Sequence, residues 1–236
     1  MGKRITQQAR GKGSLIYRVR RKAYRYRVAY PPLNTKGNAK IIKLFSSASH
    51  SAPLIKIQIK NKDKNIIFYN LAFKGAVEGQ NIEIDGKQKE GNIARLKNIK
   101  IGTRVYNIEI TPGDGGKIIR SAGSSALVDK KEKDSVFILL PNKREKKLSK
   151  ECRATLGEVA GEGLSNKPFL KAGKKFYLMK AKGRKWHRAS AVKVNAVDHP
   201  FGGGRGKRIK RKIAKRNAPP GRKVGHIKPR RTGKKK

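Results

Sequence analysis

The sequence predicts an all-β protein: two small barrels in the middle of the chain, flanked by long, basic, irregular extensions. Three observations carry that reading. Short apolar runs with period-two alternation recur between residues 54 and 159, Gly, Asn and Asp separate them, and every acidic residue falls in the middle of the chain.

The charge distribution sets the outer limits. The 236 residues include 61 Lys and Arg against 15 Asp and Glu, a formal net charge of +46. Self-repulsion on that scale opposes a compact monomer, and a bound polyanion removes the penalty. Residues 1–62 hold 16 Lys and Arg and residues 199–236 another 16, with no acid before Asp63 or after Asp198. The other 29 share the middle with all 15 acids, a balance of +14, so only the middle has the composition of an ordinary folded protein. An anionic membrane fits poorly, because there is no long apolar run and no basic helix with a clean apolar face. Met1-Gly2-Lys3-Arg4-Ile5-Thr6 matches an N-myristoylation pattern, one short enough to arise by chance. Cys152 is the only cysteine, which excludes an internal disulfide and a cysteine-based metal site and suits a reducing cytoplasm.

In chain order, residues 1–35 read as a basic extension. Tyr17, Tyr24, Tyr26 and Tyr30 interleave with Arg18, Arg20, Arg21, Arg25 and Arg27. Rings can stack on exposed bases while guanidinium groups grip phosphates. Tyrosines tucked into a neighbouring barrel are the alternative, and the acid-free context favours RNA contact. Leu54 to Ile59 alternates as a strand, and Ile66 to Phe73 follows the turn-like 61–65 segment. Ile82-Glu83-Ile84 leads into the tight-turn pair Asp85-Gly86. Arg104 to Ile110, Ser125 to Val128, Val136 to Leu140 and Ala154 to Val159 complete the set, with the seam between the barrels near Lys97. Residues 36–97 and 98–199 thus form the two barrels. The tail, 200–236, has Ile and Val too sparse for a core and should be disordered alone.

Pro112-Gly113-Asp114-Gly115-Gly116-Lys117 lacks the upstream Gly and following Ser or Thr of a nucleotide-hydrolase loop. It is either a plain barrel turn or a loop whose backbone amides of Gly113, Gly115 and Gly116 approach phosphate beside Lys117 and Arg120. The segment with Lys171, Lys174, Lys175, Lys182, Arg184, Lys185 and Arg188 surrounds the only tryptophan, Trp186, which is either core or a stacking platform. His199 beside Asp198 invites a general-base reading with Ser190, but Pro200 extends the backbone and the other histidines are scattered. Asn195, Asp198 and His199 are better placed to hydrogen-bond RNA, with Gly202, Gly203 and Gly204 permitting close approach. Arg205, Lys207, Arg208, Lys210, Arg211, Arg222 and Lys223 extend the contact into the tail. Neither a catalytic constellation nor a site for a metal, cofactor or small-molecule substrate emerges.

Several of these blocks together resemble one family. Val105-Tyr106-Asn107-Ile108-Glu109 leading to Pro112–Lys117, Arg120-Ser121-Ala122-Gly123, Pro141-Asn142-Lys143 through Cys152-Arg153-Ala154-Thr155-Leu156-Gly157, Lys171-Ala172-Gly173 and Val197-Asp198-His199-Pro200 are similar in order and spacing to the universal large-subunit ribosomal protein L-two family. Phe201 and the tail Ala218–Gly225 resemble its archaeal and eukaryotic branch, and Asn107-Ile108-Glu109 leans archaeal. Lys193-Val194-Asn195-Ala196 departs from the methionine that often precedes that Asn. The resemblance implies an OB-fold barrel over 36–97, an SH3-like barrel over 98–199 and tails threaded into RNA. It implies a cytoplasmic ribosomal constituent that binds large-subunit RNA near the peptidyl-transferase centre, beside neighbouring ribosomal proteins, and meets the small subunit across a bridge. His199 takes the place of the loop His proposed in that family to matter for peptide-bond formation, here read as supporting RNA architecture. A DNA-coating protein would show groove-binding helices or a dimerisation stripe, and an RNA-modifying enzyme a cofactor loop or catalytic cluster.

Overall fold

The computed structural model describes residues 2–60, 65–205 and 213–227, apart from the side chains of Lys22 and Lys60. The chain divides into two units, Arg21–Leu170 and a second made of Met1–Arg20 with Lys171–Lys236.

The strands of Arg21–Leu170 are β1 (Gly37–Phe45), β2 (Leu54–Lys60), β3 (Asn65–Leu71), β4 (Asn81–Ile84), β5 (Ile93–Arg95), β6 (Arg104–Tyr106), β7 (Ala126–Lys131), β8 (Ser135–Leu139), β9 (Glu145–Ser149) and β10 (Arg153–Leu156). They form one mixed ladder in the order β3-β2-β1-β4-β5-β10-β6-β7-β8-β9. Its β4–β5 pairing is parallel and the rest are antiparallel. The register follows from alternation. Ile57 lies opposite both Ile41 and Phe68, and Ile59 opposite Ala39 and Ile66, which stacks apolar side chains on one face.

Three predicted runs stop at least two residues early, Ile66 to Phe73 among them, at Leu71. Arg104 to Ile110 leaves the strand at Tyr106, because Asn107 takes a left-handed φ of 47° and turns the chain into a narrow hairpin that bridges Ile108 to Ile118. Ala154 to Val159 ends at Leu156, before Gly157 at φ 105°. Strand β9, Glu145-Lys-Lys-Leu-Ser, has no apolar alternation and buries only Leu148, so pairing with β8 rather than its own pattern makes it a strand.

Two apolar clusters fill the interior. One includes Ile41, Leu54, Ile57, Leu71 and Ile82, and the other Leu96, Val105, Ile108, Val128 and Ile138. The chain crosses between them within β5, where Ile93 belongs to the first and Ala94 to the second.

A buried polar joint links the two clusters. The Tyr30 hydroxyl donates to the Asn107 carbonyl at 2.7 Å, so the Thr155 hydroxyl, also at 2.7 Å, donates to Tyr30. The Asn70 side-chain amide donates to Thr155 Oγ1, and that of Asn107 to Asn70 Oδ1. Burial pushes the phenols of Tyr30 and Tyr106 well above their ordinary range. Beside them the Glu109 carboxylate, 0% exposed, accepts from Arg153 Nη2 at 2.8 Å, Arg153 Nε at 3.2 Å, the Arg153 amide at 2.8 Å and the Gly115 amide at 3.2 Å. Arg153 Nη1 donates to the Pro31 carbonyl at 2.7 Å, which ties the incoming N-terminal segment to β10.

The second unit contains α1 (Thr6–Arg10), α2 (Ala172–Ala181) and the short parallel pair β11 (Ile213–Ala214) and β12 (His226–Ile227). Helix α2 has no amphipathic pattern to announce it, and none of its residues is buried. Among the described residues this unit buries only Ile5, Gly202 and Ala214. No helix among the described residues is long and apolar enough to cross a membrane.

Glu109→Ala should remove about 3–5 kcal/mol of stability, because the Arg153 guanidinium stays buried without its counter-ion. Urea unfolding of the full chain measures this, and a loss under about 1 kcal/mol would show that water reaches the pair.

Candidate nucleic-acid interface

Charge separates the two units more sharply than it separates the ends of the sequence. Met1–Arg20 with Lys171–Lys236 carries 31 of the 61 Lys and Arg and one acid, Asp198, a balance of +30. Arg21–Leu170 has the other 30 against 14 acids, +16. There the acids mostly serve neighbouring cations: Glu145 pairs with Lys130, Glu132 with Lys147, Asp134 with Lys150, and Glu151 with both Arg95 and Lys97. Exposed pairs of this kind stabilise by at most about 1 kcal/mol each, yet they neutralise part of this unit's positive charge.

Within Arg21–Leu170, the exposed side chains of Arg21, Arg25, Arg27 and Lys117 and the half-buried Arg120 lie on the N-terminal segment and the glycine-rich hairpin. The tyrosines beside them divide. Tyr30 is 7% exposed and belongs to the polar joint, and Tyr26 packs on Phe45 and Tyr69 at 4.6 and 5.0 Å between ring centres. Base stacking by Tyr30 is therefore corrected to a core role, while Tyr24 stays 48% exposed.

The hairpin itself is tightly self-satisfied. The Gly115 amide donates to Glu109, the Gly116 amide to Asp114 at 2.9 Å, and the amides of Ile110 and Thr111 to the other Asp114 oxygen. These amides are turned inward, so the loop is a turn that presents Lys117 rather than a backbone cradle for phosphate. A Cβ on Gly116 would meet the Asn107 side chain at 2.5 Å and one on Gly115 would meet Ala29 at 2.9 Å. Gly113 stays exposed at the tip. Cys152 lies under this hairpin, where burial and the nearby Glu109 push its thiol up to about 11.

In the other unit, the Asp198–Gly204 loop is folded on itself. The Asn195 carbonyl accepts the amides of Asp198 and His199 at 3.0 and 3.3 Å, and a Cβ on Gly202 would run into that carbonyl. Gly202 is small for the loop's own closure, whereas Gly204 faces open space. His199 Nδ1 accepts the Phe201 amide at 3.0 Å, which places the ring proton on Nε2. Asp198 faces Lys3 at 3.5 Å. A carboxylate–imidazole relay needs a proton on Nδ1 directed at the acid, and this arrangement supplies neither. A cavity of about 210 Å³ opens beside His199, with Lys185, His187 and Arg188 on its wall.

Gly183, between Lys182 and Arg184, approaches the backbone of Tyr17, Arg18 and Val19. Lys171, Lys174 and Lys175 lie on or just before the first turn of α2, and Lys182 follows its end. Lys175 Nζ sits 5.5 Å from the centre of the half-buried Trp186 ring, so Trp186 is neither core nor a bare platform. Asn195, Arg205, Arg222 and Lys223 are exposed. Lys207, Arg208, Lys210 and Arg211 lie outside the described residues. Sequence reasoning missed His50, which stands near Arg120, and the Glu109–Arg153 pair; both depend on contacts between distant parts of the chain.

Residues 89–220 match the family described as Ribosomal Proteins L2, C-terminal domain. The large ribosomal subunit protein uL2 of Archaeoglobus fulgidus is 44% identical, with 99% of each chain covered. Those of Methanocaldococcus jannaschii and Hyperthermus butylicus are 41% and 42% identical over the whole of both chains.

A unit of charge +30 with three buried residues among those described has little to hold it closed without a polyanion. Limited trypsin digestion of the RNA-free chain should cut first in residues 1–20 and 171–236 and leave a fragment close to Arg21–Leu170. Equal resistance of both units in gel and mass analysis would contradict this.

Proposed function

The chain belongs to the ribosomal L2 family, in its archaeal branch, and on that premise we propose that it is a structural, RNA-binding constituent of the large ribosomal subunit. The observation that carries the reading is the unit with 31 basic residues, one acid and almost no core among its described residues, since only a dense polyanion offsets such a charge. RNA suits it better than duplex DNA because most of its described cations sit on loops, turns and extended segments, with only Lys174, Lys175 and Lys180 on the ten-residue α2.

In this reading residues 1–35 form the N-terminal extension, 36–97 an OB-fold barrel, 98–199 an SH3-like barrel and 200–236 the tail. The protein binds large-subunit ribosomal RNA directly, supports the peptidyl-transferase region, and contacts neighbouring ribosomal proteins and the small subunit across a bridge. It works in the cytoplasmic ribosome without a membrane or small-molecule substrate. The side chains that carry the contact are the cations of the two exposed sets, with Trp186, Asn195, Asp198 and the His199 loop shaping the RNA around them. The protein performs no chemistry of its own: His199 Nδ1 is held by the Phe201 amide, and Asp198 faces a lysine.

The full chain should select protein-free large-subunit RNA over duplex DNA, and its affinity should fall about a thousandfold between 50 and 200 mM salt, as for a protein with several phosphate contacts. Filter retention over a salt series measures both, and equal affinity for the two nucleic acids at every salt concentration would refute the reading. His199→Ala should reduce assembly of large subunits into whole ribosomes on sucrose gradients. The isolated wild-type protein should show no RNA cleavage or acyl transfer, and turnover in a clean preparation would contradict the structural role.

A further inference from the structure

Where the N-terminal segment crosses the β1–β2 loop and the glycine-rich hairpin, Arg21–Leu170 contains a cleft of about 590 Å³. Tyr24, Arg27, His50, Ser51, Lys117 and Arg120 line it, and its lining has no acidic side chain. Three cations therefore converge on a space whose lining supplies no counter-ion, Asp114 acting on Arg120 from outside it.

The cleft has two chemically distinct sides. On one, the Arg120 guanidinium is half-buried and anchored, donating to the Gly116 carbonyl at 3.1 Å and the Val28 carbonyl at 3.3 Å. Burial lowers its pKa against the opposing pull of nearby Asp114, while the guanidinium stays protonated at neutral pH. Exposed Arg27 and Lys117 stand on the same cleft. On the other side, Tyr24 and His50 meet edge to face, with ring centres 5.3 Å apart and planes at 76°. His50 Nδ1 hydrogen-bonds Ser47 Oγ at 2.9 Å, and burial with Arg120 nearby favours the neutral ring. A neutral imidazole beside a half-exposed phenol ring is suited to a base, not to a phosphate.

We propose that this cleft is a binding site for a single unstacked RNA nucleotide, its base in the Tyr24–His50 corner and its phosphate against Arg27, Lys117 and Arg120. The volume lies within the range of about 300–1,000 Å³ typical of small-ligand clefts, which admits one nucleotide but not a duplex. An acidic peptide would use the cations and leave the aromatic corner without a role. The inference rests on the RNA-binding function above and adds a position at which one base is taken out of the stack.

The test uses the full chain with protein-free archaeal large-subunit RNA in filter retention over a salt series. Tyr24→Ala and His50→Ala should each weaken binding by about tenfold at every salt concentration, the size expected for loss of a stacked base, with the salt slope unchanged. Tyr24→Phe should recover most of that loss. Lys117→Ala should instead lower the slope by about one. Ultraviolet crosslinking of the wild-type complex should attach a nucleotide to a peptide containing Tyr24 or His50, a readout that needs no variant. Unchanged RNA affinity of both alanine variants, with no crosslink at either peptide, would overturn the proposal, even if a variant impaired recruitment of a protein partner. If the wild-type chain fails to prefer this RNA over duplex DNA, the underlying function fails and the site with it. If it keeps that preference while the variants bind normally, only the site fails.

Discussion

The carboxylate of Glu109, fully buried and met by Arg153 side chain and backbone, constrains most of Arg21–Leu170. Taking such a charge out of water costs several kcal/mol unless its lone pairs are filled, and here four N–H donors fill them. One donor comes from the glycine-rich hairpin and three from Arg153 at the start of β10, so the acid fixes the hairpin against the strand between the two apolar clusters. Through its other terminal nitrogen Arg153 holds the Pro31 carbonyl, and the adjoining Tyr30 is locked by Asn107 and Thr155. The path of the segment that carries Tyr24, Arg25 and Arg27 follows from that anchor. Electrostatics inside the fold thus sets which cations reach its surface.

The two units solve the problem of excess positive charge differently. Arg21–Leu170 has two apolar clusters, a polar joint and acids that neutralise part of its lysines, so its charge rests on a framework with its own stability. The other unit has a parallel pair of two-residue strands, a ten-residue helix and the closed loop around His199, with Lys3 on Val197 and Gly183 on Tyr17 to Val19 joining its two stretches of chain. Such a segment gains shape from the surface that it neutralises, at an ordering cost that lowers its affinity per unit area. The RNA-binding role proposed above suits that division.

Much of the fold was legible where the chain repeats a simple pattern. Ile55, Ile57 and Ile59 in β2, and Val136 and Ile138 in β8, bury as their alternation implies. Strand β9 was hidden because its lysines and glutamate carry no alternation, and α2 because it packs no apolar face. At the interface, composition identified the cationic segments, but spacing does not disclose which way an amide points. Gly115 and Gly116 have the residue types of a phosphate loop, and only the folded positions of Glu109 and Asp114 reveal that their N–H groups are already taken. Tyr30 and Tyr24 look alike in sequence, six positions apart, and differ because one lies over the Asn107–Thr155 joint and the other at the rim of a cleft. His50 acquires meaning only through Tyr24 and Arg120, which belong to other segments.

The continuous ladder has a bearing on how the protein is made. Strand β5 pairs with β4 on one side and on the other with β10, about 60 residues later in the chain. A growing polypeptide that has just laid down β1 to β5 therefore still displays an unsatisfied strand edge. It closes that edge only when Arg153 to Leu156 emerge, after β6 to β9 have been laid down. During that interval the nascent chain is both strongly cationic and open to mispairing, two hazards that early capture by RNA would relieve together.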